Sequence, residues 1–304
     1  MRTFVFTCLL LLGMTAFAQD ANFHIYLCLG QSNMEGNAKV EEQDTVAVDS
    51  RFQVLAAVDC PNLGRTKGNW YKAVPPLARC YTGLTPGDYF GRAMVANLPS
   101  NVRVGIINVA VGGCKIELFD KDNYQSYVET SPDWLKNMVK EYGGNPYARL
   151  VEMAKLAQKD GVIKGILLHQ GESNTNDKDW PSKVKGVYDN LLKDLGLSAA
   201  NVPLLAGEGG HADQNGICAS MNTIIDSLPQ VIPTAHVISS AGCPAAFDNL
   251  HFTAEGYRML GARYAAKMLS ILGYGDWTSA QNMKLWYARP AQDWLEALPL
   301  GNSR

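Results

Sequence analysis

Ser32 lies in the run Gly30-Gln31-Ser32-Asn33-Met34-Glu35-Gly36, directly behind an apolar stretch. A serine on a tight glycine turn at the end of a buried strand can hold its hydroxyl at the sheet edge, beside the N-terminus of the next helix. Near the other end of the chain stands Asp248-Asn249-Leu250-His251, just ahead of a helical pattern. Three residues apart on a tight loop, an aspartate can accept a hydrogen bond from one imidazole nitrogen while the other nitrogen faces a serine. That is the base-and-orienter pair of nucleophilic acyl transfer. Each motif alone has a blander explanation, since glycine–serine turns are common and a histidine before a helix is often a surface residue. Together, at opposite ends of one α/β unit, they point to a serine hydrolase with Ser32 as nucleophile and His251 as general base.

Two further loops carry suitable groups. In Asn108-Val109-Ala110-Val111-Gly112-Gly113-Cys114, the consecutive Gly112 and Gly113 let backbone amides approach a ligand closely, as an oxyanion site requires. A plain tight turn explains the glycines equally well. In His169-Gln170-Gly171-Glu172-Ser173-Asn174, Gln170 can donate a side-chain amide to the same oxyanion, and Glu172 offers His251 a second carboxylate or merely holds its loop. His169 has no companion at metal-ligand spacing and reads as a core or loop residue. His24 and His236 sit within apolar runs and read as packed strand residues. The loop Gly207-Glu208-Gly209-Gly210-His211 can line a cleft, with no defined chemical role.

Five continuous apolar runs, at 23–29, 102–109, 163–169, 202–207 and 235–240, supply the elements that must position these groups. Runs without alternation are expected of parallel strands covered on both faces. Helical patterns lie between them. Asn145 and Pro146 give an N-cap with proline at the first helical position, Leu150, Met153 and Leu156 give an apolar face, and Gly161 is the expected stop. A second helix is predicted from about Asp179, and a third from Thr253 with Leu260, Tyr264, Met268 and Ile271 on one stripe. Strands alternating with helices predict a five-stranded parallel sheet covered on both faces, with ligands at the carboxyl ends of the strands. The stretch 37–85 has weak periodicity and reads as loops and short strands shaping a cleft.

The first eighteen residues have a basic start, an apolar run and the small-residue site Ala16-Phe17-Ala18, the pattern of a secretory signal peptide cut before Gln19. The expected product is released outside the cytoplasm, secreted or periplasmic, and no run is long enough to span a bilayer. Without Arg2 and Cys8 the remainder carries 26 basic and 29 acidic residues and six cysteines. Near-neutral charge argues against nucleic acid or anionic membranes as partners. Six cysteines in an exported chain permit fifteen full pairings; Cys60 with Cys80, flanking a loop-rich stretch, is the expected disulfide, and Cys28 and Cys114 are expected to be buried thiols. The length suits one α/β domain over 19–272.

These motifs resemble those of the SGNH hydrolases, in the branch of sialate O-acetylesterase-like and family 6 carbohydrate esterases that includes acetylxylan esterases. The matching residues are Gly30 to Met34, Ala110 to Gly113, His169 to Ser173 and Asp248 to His251. The resemblance implies a flavodoxin-like three-layer α/β/α fold, no metal or other cofactor, and deacetylation of an acetylated oligo- or polysaccharide. It places Ser32, Gly112, Gly113 and Gln170 around the oxyanion, and leaves Asp248 and Glu172 as alternative orienters of His251. Within 273–304, residues 284–304 resemble the opening of a family 95 glycoside hydrolase, which implies a covalently linked glycosidase domain in a longer chain.

Overall fold

The computed structural model describes residues 19–275. The predicted signal peptide and the tail segment from 284, with its glycosidase-like sequence, lie outside the described residues. Seven strands form one sheet: β1 (Asp20–Gly30), β2 (Phe52–Leu55), β3 (Trp70–Lys72), β4 (Arg103–Ala110), β5 (Gly161–His169), β6 (Leu204–Gly207) and β7 (Ala235–Ile238). Their order is β3-β2-β4-β1-β5-β6-β7, and every pairing is parallel except β2 with β3. The five apolar runs are β1, β4, β5, β6 and β7. The expected five-stranded sheet is therefore corrected to seven, because the weakly periodic stretch contributes two short strands that extend one edge.

Six helices are needed to describe the site's setting: α1 (Ser32–Glu35), α2 (Pro86–Asn97), α3 (Asp133–Glu141), α4 (Pro146–Ala157), α5 (Trp180–Leu195) and α6 (Ala254–Ile271). The Asn145 side chain accepts from the Ala148 N–H at 2.9 Å, and Thr253 from the Gly256 N–H at 3.1 Å, so both caps work as the sequence suggests. Gly161 does not stop α4; that helix ends at Ala157 and Gly161 opens β5.

Side chains alternate across a strand, so one strand feeds two cores. Phe23, Ile25, Leu27 and Leu29 of β1 pack with Leu150 and Met153 of α4 and Val184, Tyr188 and Leu191 of α5. Tyr26 and Cys28 face the other way, among Phe90 and Met94 of α2 and Leu260, Tyr264 and Met268 of α6. Helices on both faces thus make three layers. Cys60 and Cys80 form a disulfide with Cα atoms 5.3 Å apart, and Cys28 and Cys114 are buried free thiols. Among the described residues no helix is long and apolar enough to cross a membrane.

Candidate active site

The chain builds β4 on one side of β1 and β5 on the other, so the carboxyl end of β1 is the switch point where an open α/β sheet offers a crevice. Register aligns Gly30 with both Ala110 and His169, which brings three loops level with one another. Gly30 has φ +149°, and a Cβ there would stand 2.0 Å from the His169 carbonyl oxygen, so only glycine fits. The Gln31 N–H donates to that carbonyl at 3.0 Å, and the Val111 N–H donates to Gly30 O at 3.0 Å. This locked turn delivers Ser32 as the first residue of α1.

His251 Nε2 lies 2.8 Å from Ser32 Oγ, and His251 Nδ1 lies 2.7 Å from Asp248 Oδ2. The other Asp248 oxygen accepts the Leu250 and His251 backbone N–H groups, each at 3.0 Å, so the loop's own backbone fixes the carboxylate. Burial pushes the Asp248 carboxyl up, but the His251 ring and these two N–H groups outweigh it and hold it below its ordinary value.

Glu172 does not reach His251. Its Oε1 accepts from Asn33 Nδ2 at 2.5 Å and lies 3.6 Å from His169 Nε2. Asn33 also donates to the Leu250 carbonyl at 3.2 Å and accepts from the Tyr257 hydroxyl at 2.6 Å. One asparagine therefore ties the serine turn to the loop after β5, the histidine loop and α6. His169 is buried with both ring nitrogens lacking a hydrogen-bond partner, and burial keeps it below the usual histidine range against the pull of Glu172. It is a core residue, as are His24 and, in part, His236.

Gln170 needs correcting as an oxyanion donor. Its amide nitrogen already faces three acceptors, Asn174 Oδ1 at 2.8 Å and Gln31 Oε1 and the Cys114 carbonyl at 3.2 Å each. Its oxygen accepts from the Trp180 indole. A fully engaged, buried amide braces the loops and has no hydrogen to offer a substrate. The Gly112–Gly113 turn lies beside the nucleophile, with the Gly112 backbone also hydrogen-bonded to the Glu35 carboxylate. Ser32 Cβ is 3.7 Å from where a Cβ of Gly112 would stand, and Gly113 takes φ +70°.

Sequence reasoning gave no role to Asn33, Glu35, Arg79 or Trp134. Glu35, three residues after the nucleophile, is buried against Gly112, and a side chain at 112 would meet its carboxylate at 2.9 Å. Burial raises the Glu35 carboxyl despite Arg79, which pairs with it at 2.6 Å and also reaches Glu141 at 2.5 Å. The Trp134 indole lies over the Gly113 backbone. The signal for Asn33 and Glu35 was adjacency to Ser32; Arg79 and Trp134 are distant in sequence and give none. The Gly207–His211 loop is held by Glu208, whose carboxylate lies 2.7 Å from His211 Nε2 and accepts the Ser240 N–H. Among the described residues, no group of three or more His, Cys, Asp or Glu is placed to hold a metal ion.

A buried strand delivering a serine to a histidine–aspartate pair is shared by many hydrolases, so the family is decided by the chain as a whole. Residues 22–270 match the family described as carbohydrate esterase, sialic acid-specific acetylesterase. The chain belongs to this family. The esterase is thus a carboxylic ester hydrolase of the carbohydrate acetylesterase group. It is 26% identical over 271 residues to a probable carbohydrate esterase of Arabidopsis thaliana, covering 81% of this chain and 90% of that one. The X-ray structure of an Arabidopsis thaliana protein superposes on the esterase with a TM-score of 0.61 at 22% identity, over 83% of this chain and 99% of the other. NanS gives 0.58 at 15% identity, over 84% and 99%. A carbohydrate acetylesterase of Xanthomonas citri gives 0.57 at 18%, over 81% and 56%. At these identities the superpositions establish the fold, a mostly parallel sheet flanked by helices.

Proposed function

We propose that the esterase removes O-acetyl groups from carbohydrate through an acetyl-serine intermediate. The carrying observation is the unbroken line from Ser32 Oγ through His251 to Asp248, with separations of 2.8 and 2.7 Å. Neutral His251 takes the Ser32 proton as the serine oxygen bonds to the acetyl carbonyl carbon. The resulting oxyanion is met by the Ser32 amide and one amide of the Gly112–Gly113 turn. As the intermediate collapses, the bond to the sugar oxygen breaks and His251 returns its proton to that oxygen. Water then repeats the cycle on the acetyl-serine and releases acetate. Asp248, held ionised, fixes the imidazole tautomer and stabilises the imidazolium.

We assign the substrate as acetylated plant cell-wall polysaccharide, such as acetylxylan, and the place of action as outside the cytoplasm. The leader-like first eighteen residues and the glycosidase-like tail support this. The tail fits an esterase linked to a glycoside hydrolase that trims the same glycan. The second reading, a sialate O-acetylesterase, is favoured by the matching family's description. A non-catalytic carbohydrate-binding module on the same fold is opposed by the intact triad.

Acetate release from a panel of acetylated xylan, xyloglucan, pectin and sialoglycan, with products mapped by NMR, separates these substrates. Ser32→Ala should lower the rate on the best of them by at least about a thousandfold. Release near the wild-type rate would remove the serine mechanism.

A further inference from the structure

The four most exposed large apolar side chains among the described residues are Phe247, Tyr81, Ile217 and Trp134, at 100, 89, 63 and 52%. Scattered exposed hydrophobics are ordinary, but an exposed set gathered at one site calls for a ligand. Three of these stand on the segments that build the active site. Phe247 directly precedes Asp248 on the histidine loop. The Ile217 N–H donates to the Asn249 carbonyl of that loop at 3.1 Å. Trp134, in the first turn of α3, lies on the β4 side, with its ring 2.7 Å from where a Gly113 Cβ would stand. Phe247 and Ile217 thus stand on or against the histidine loop, and Trp134 stands against the Gly112–Gly113 turn.

The side chains these segments bring together at the site are polar: Ser32, His251 and Asp248, with Ser173, whose hydroxyl donates to the Gly113 carbonyl at 3.0 Å. Separate apolar posts beside a polar site do not match a long acyl chain, which needs a continuous apolar groove. They match pyranose rings, whose C–H faces stack on apolar and aromatic surfaces while their hydroxyls meet polar groups. His251 returns its proton to the departing sugar oxygen, so the leaving sugar lies on the histidine side, where Phe247 and Ile217 stand.

We propose that Phe247 and Ile217 on one side and Trp134 on the other are stacking posts for the sugar rings of a neutral glycan chain, so the esterase selects an ester carried on several linked rings over an acetylated monosaccharide. This rests on the carbohydrate deacetylation proposed above.

Two readouts keep the failures apart. Binding of xylohexaose, which carries no ester, to the Ser32→Ala protein by calorimetry reads the posts alone; acetate release from acetylated xylo-oligosaccharides and from 4-nitrophenyl acetate reads the reaction. In the wild type, kcat/KM should rise at least about tenfold between one and four rings. In Phe247→Ala and Trp134→Ala, with melting temperatures kept near wild type, the ratio of oligosaccharide to nitrophenyl acetate kcat/KM should fall at least about fivefold. Phe247→Ala added to Ser32→Ala should weaken xylohexaose binding to a similar degree. Absence of xylohexaose binding, rates independent of chain length, or an unchanged ratio in both variants would overturn the proposal. So would variants that instead lose hydrolysis of 4-nitrophenyl octanoate, which would assign the posts to an acyl chain, or that abolish a concentration-dependent dimer. Loss of all acetate release with xylohexaose still bound would refute the reaction and keep the posts.

Discussion

Asp248 and Glu172 are two carboxylates at the same sheet edge with different work. Asp248 bonds the imidazole directly, whereas Glu172 bonds Asn33, which in turn holds the Leu250 carbonyl one residue before His251. Asp248→Asn keeps the size of the side chain but removes the charge that selects the Nδ1–H tautomer. It should lower kcat by roughly a hundred- to ten-thousandfold, the upper end being the loss known for a fully buried triad aspartate. Glu172→Gln retains an oxygen for Asn33 and should cost less than about tenfold in kcat. Steady-state kinetics on 4-nitrophenyl acetate compare the two, and a larger loss in Glu172→Gln would reverse their roles. Sequence placed both residues on suitable loops but could not choose between them, because the choice depends on how far a loop after β5 stands from a loop before α6. Gln170 misled for a related reason. A side-chain amide looks the same in sequence whether it faces a substrate or, as here, is taken up by Asn174, Gln31 and the indole of Trp180.

The elements differ in how strongly they announce themselves. The strands carrying the site were legible as uninterrupted apolar runs, since parallel strands between two helical layers have no wet face. β2 and β3 were not placed in the sheet, being four and three residues long, with β3 only partly covered and run antiparallel at the edge. Caps were legible because their chemistry is local. Thr253 is the most consequential of these, because it caps α6 two residues after His251 and Tyr257, near the start of that helix, bonds Asn33. Thr253→Ala should destabilise the protein by about 1 kcal/mol, lowering the melting temperature by roughly 2–4 °C for a domain of this size. Calorimetry checks this, and an unchanged midpoint would mean the cap contributes nothing here.

At the scale of the whole molecule, three histidines share one environment. His24, His169 and His236 all have their pKa values lowered, in each case mainly by burial. Wherever the pH lies between such a depressed value and the unfolded value of about 6.5, the unfolded chain binds more protons than the fold. Stability therefore rises with pH through that window, is fully present above about 6.5, and declines as the pH falls below it. The histidines' share of the melting temperature should drop as the pH is taken from 7 to 5, against the opposite pull of Asp88, whose carboxyl burial pushes up to about 8. His169→Leu, which removes the most deeply buried of the three rings, should flatten that dependence; a slope identical to wild type would show that this ring does not contribute to it.

The disulfide reaches further than its loop. Cys80 is the neighbour of Arg79, whose guanidinium is the counter-charge for the buried Glu35 beside the nucleophile's turn. A vessel or compartment that keeps thiols reduced would remove this covalent tie and leave the segment held by the pairs of Arg79 with Glu35 and Glu141. Arg79 is the charge that opposes the burial-driven rise of the Glu35 carboxyl beside Gly112, so any loosening of that segment acts on the nucleophile's turn. The redox history of a preparation is therefore a variable to hold fixed when specific activities are compared.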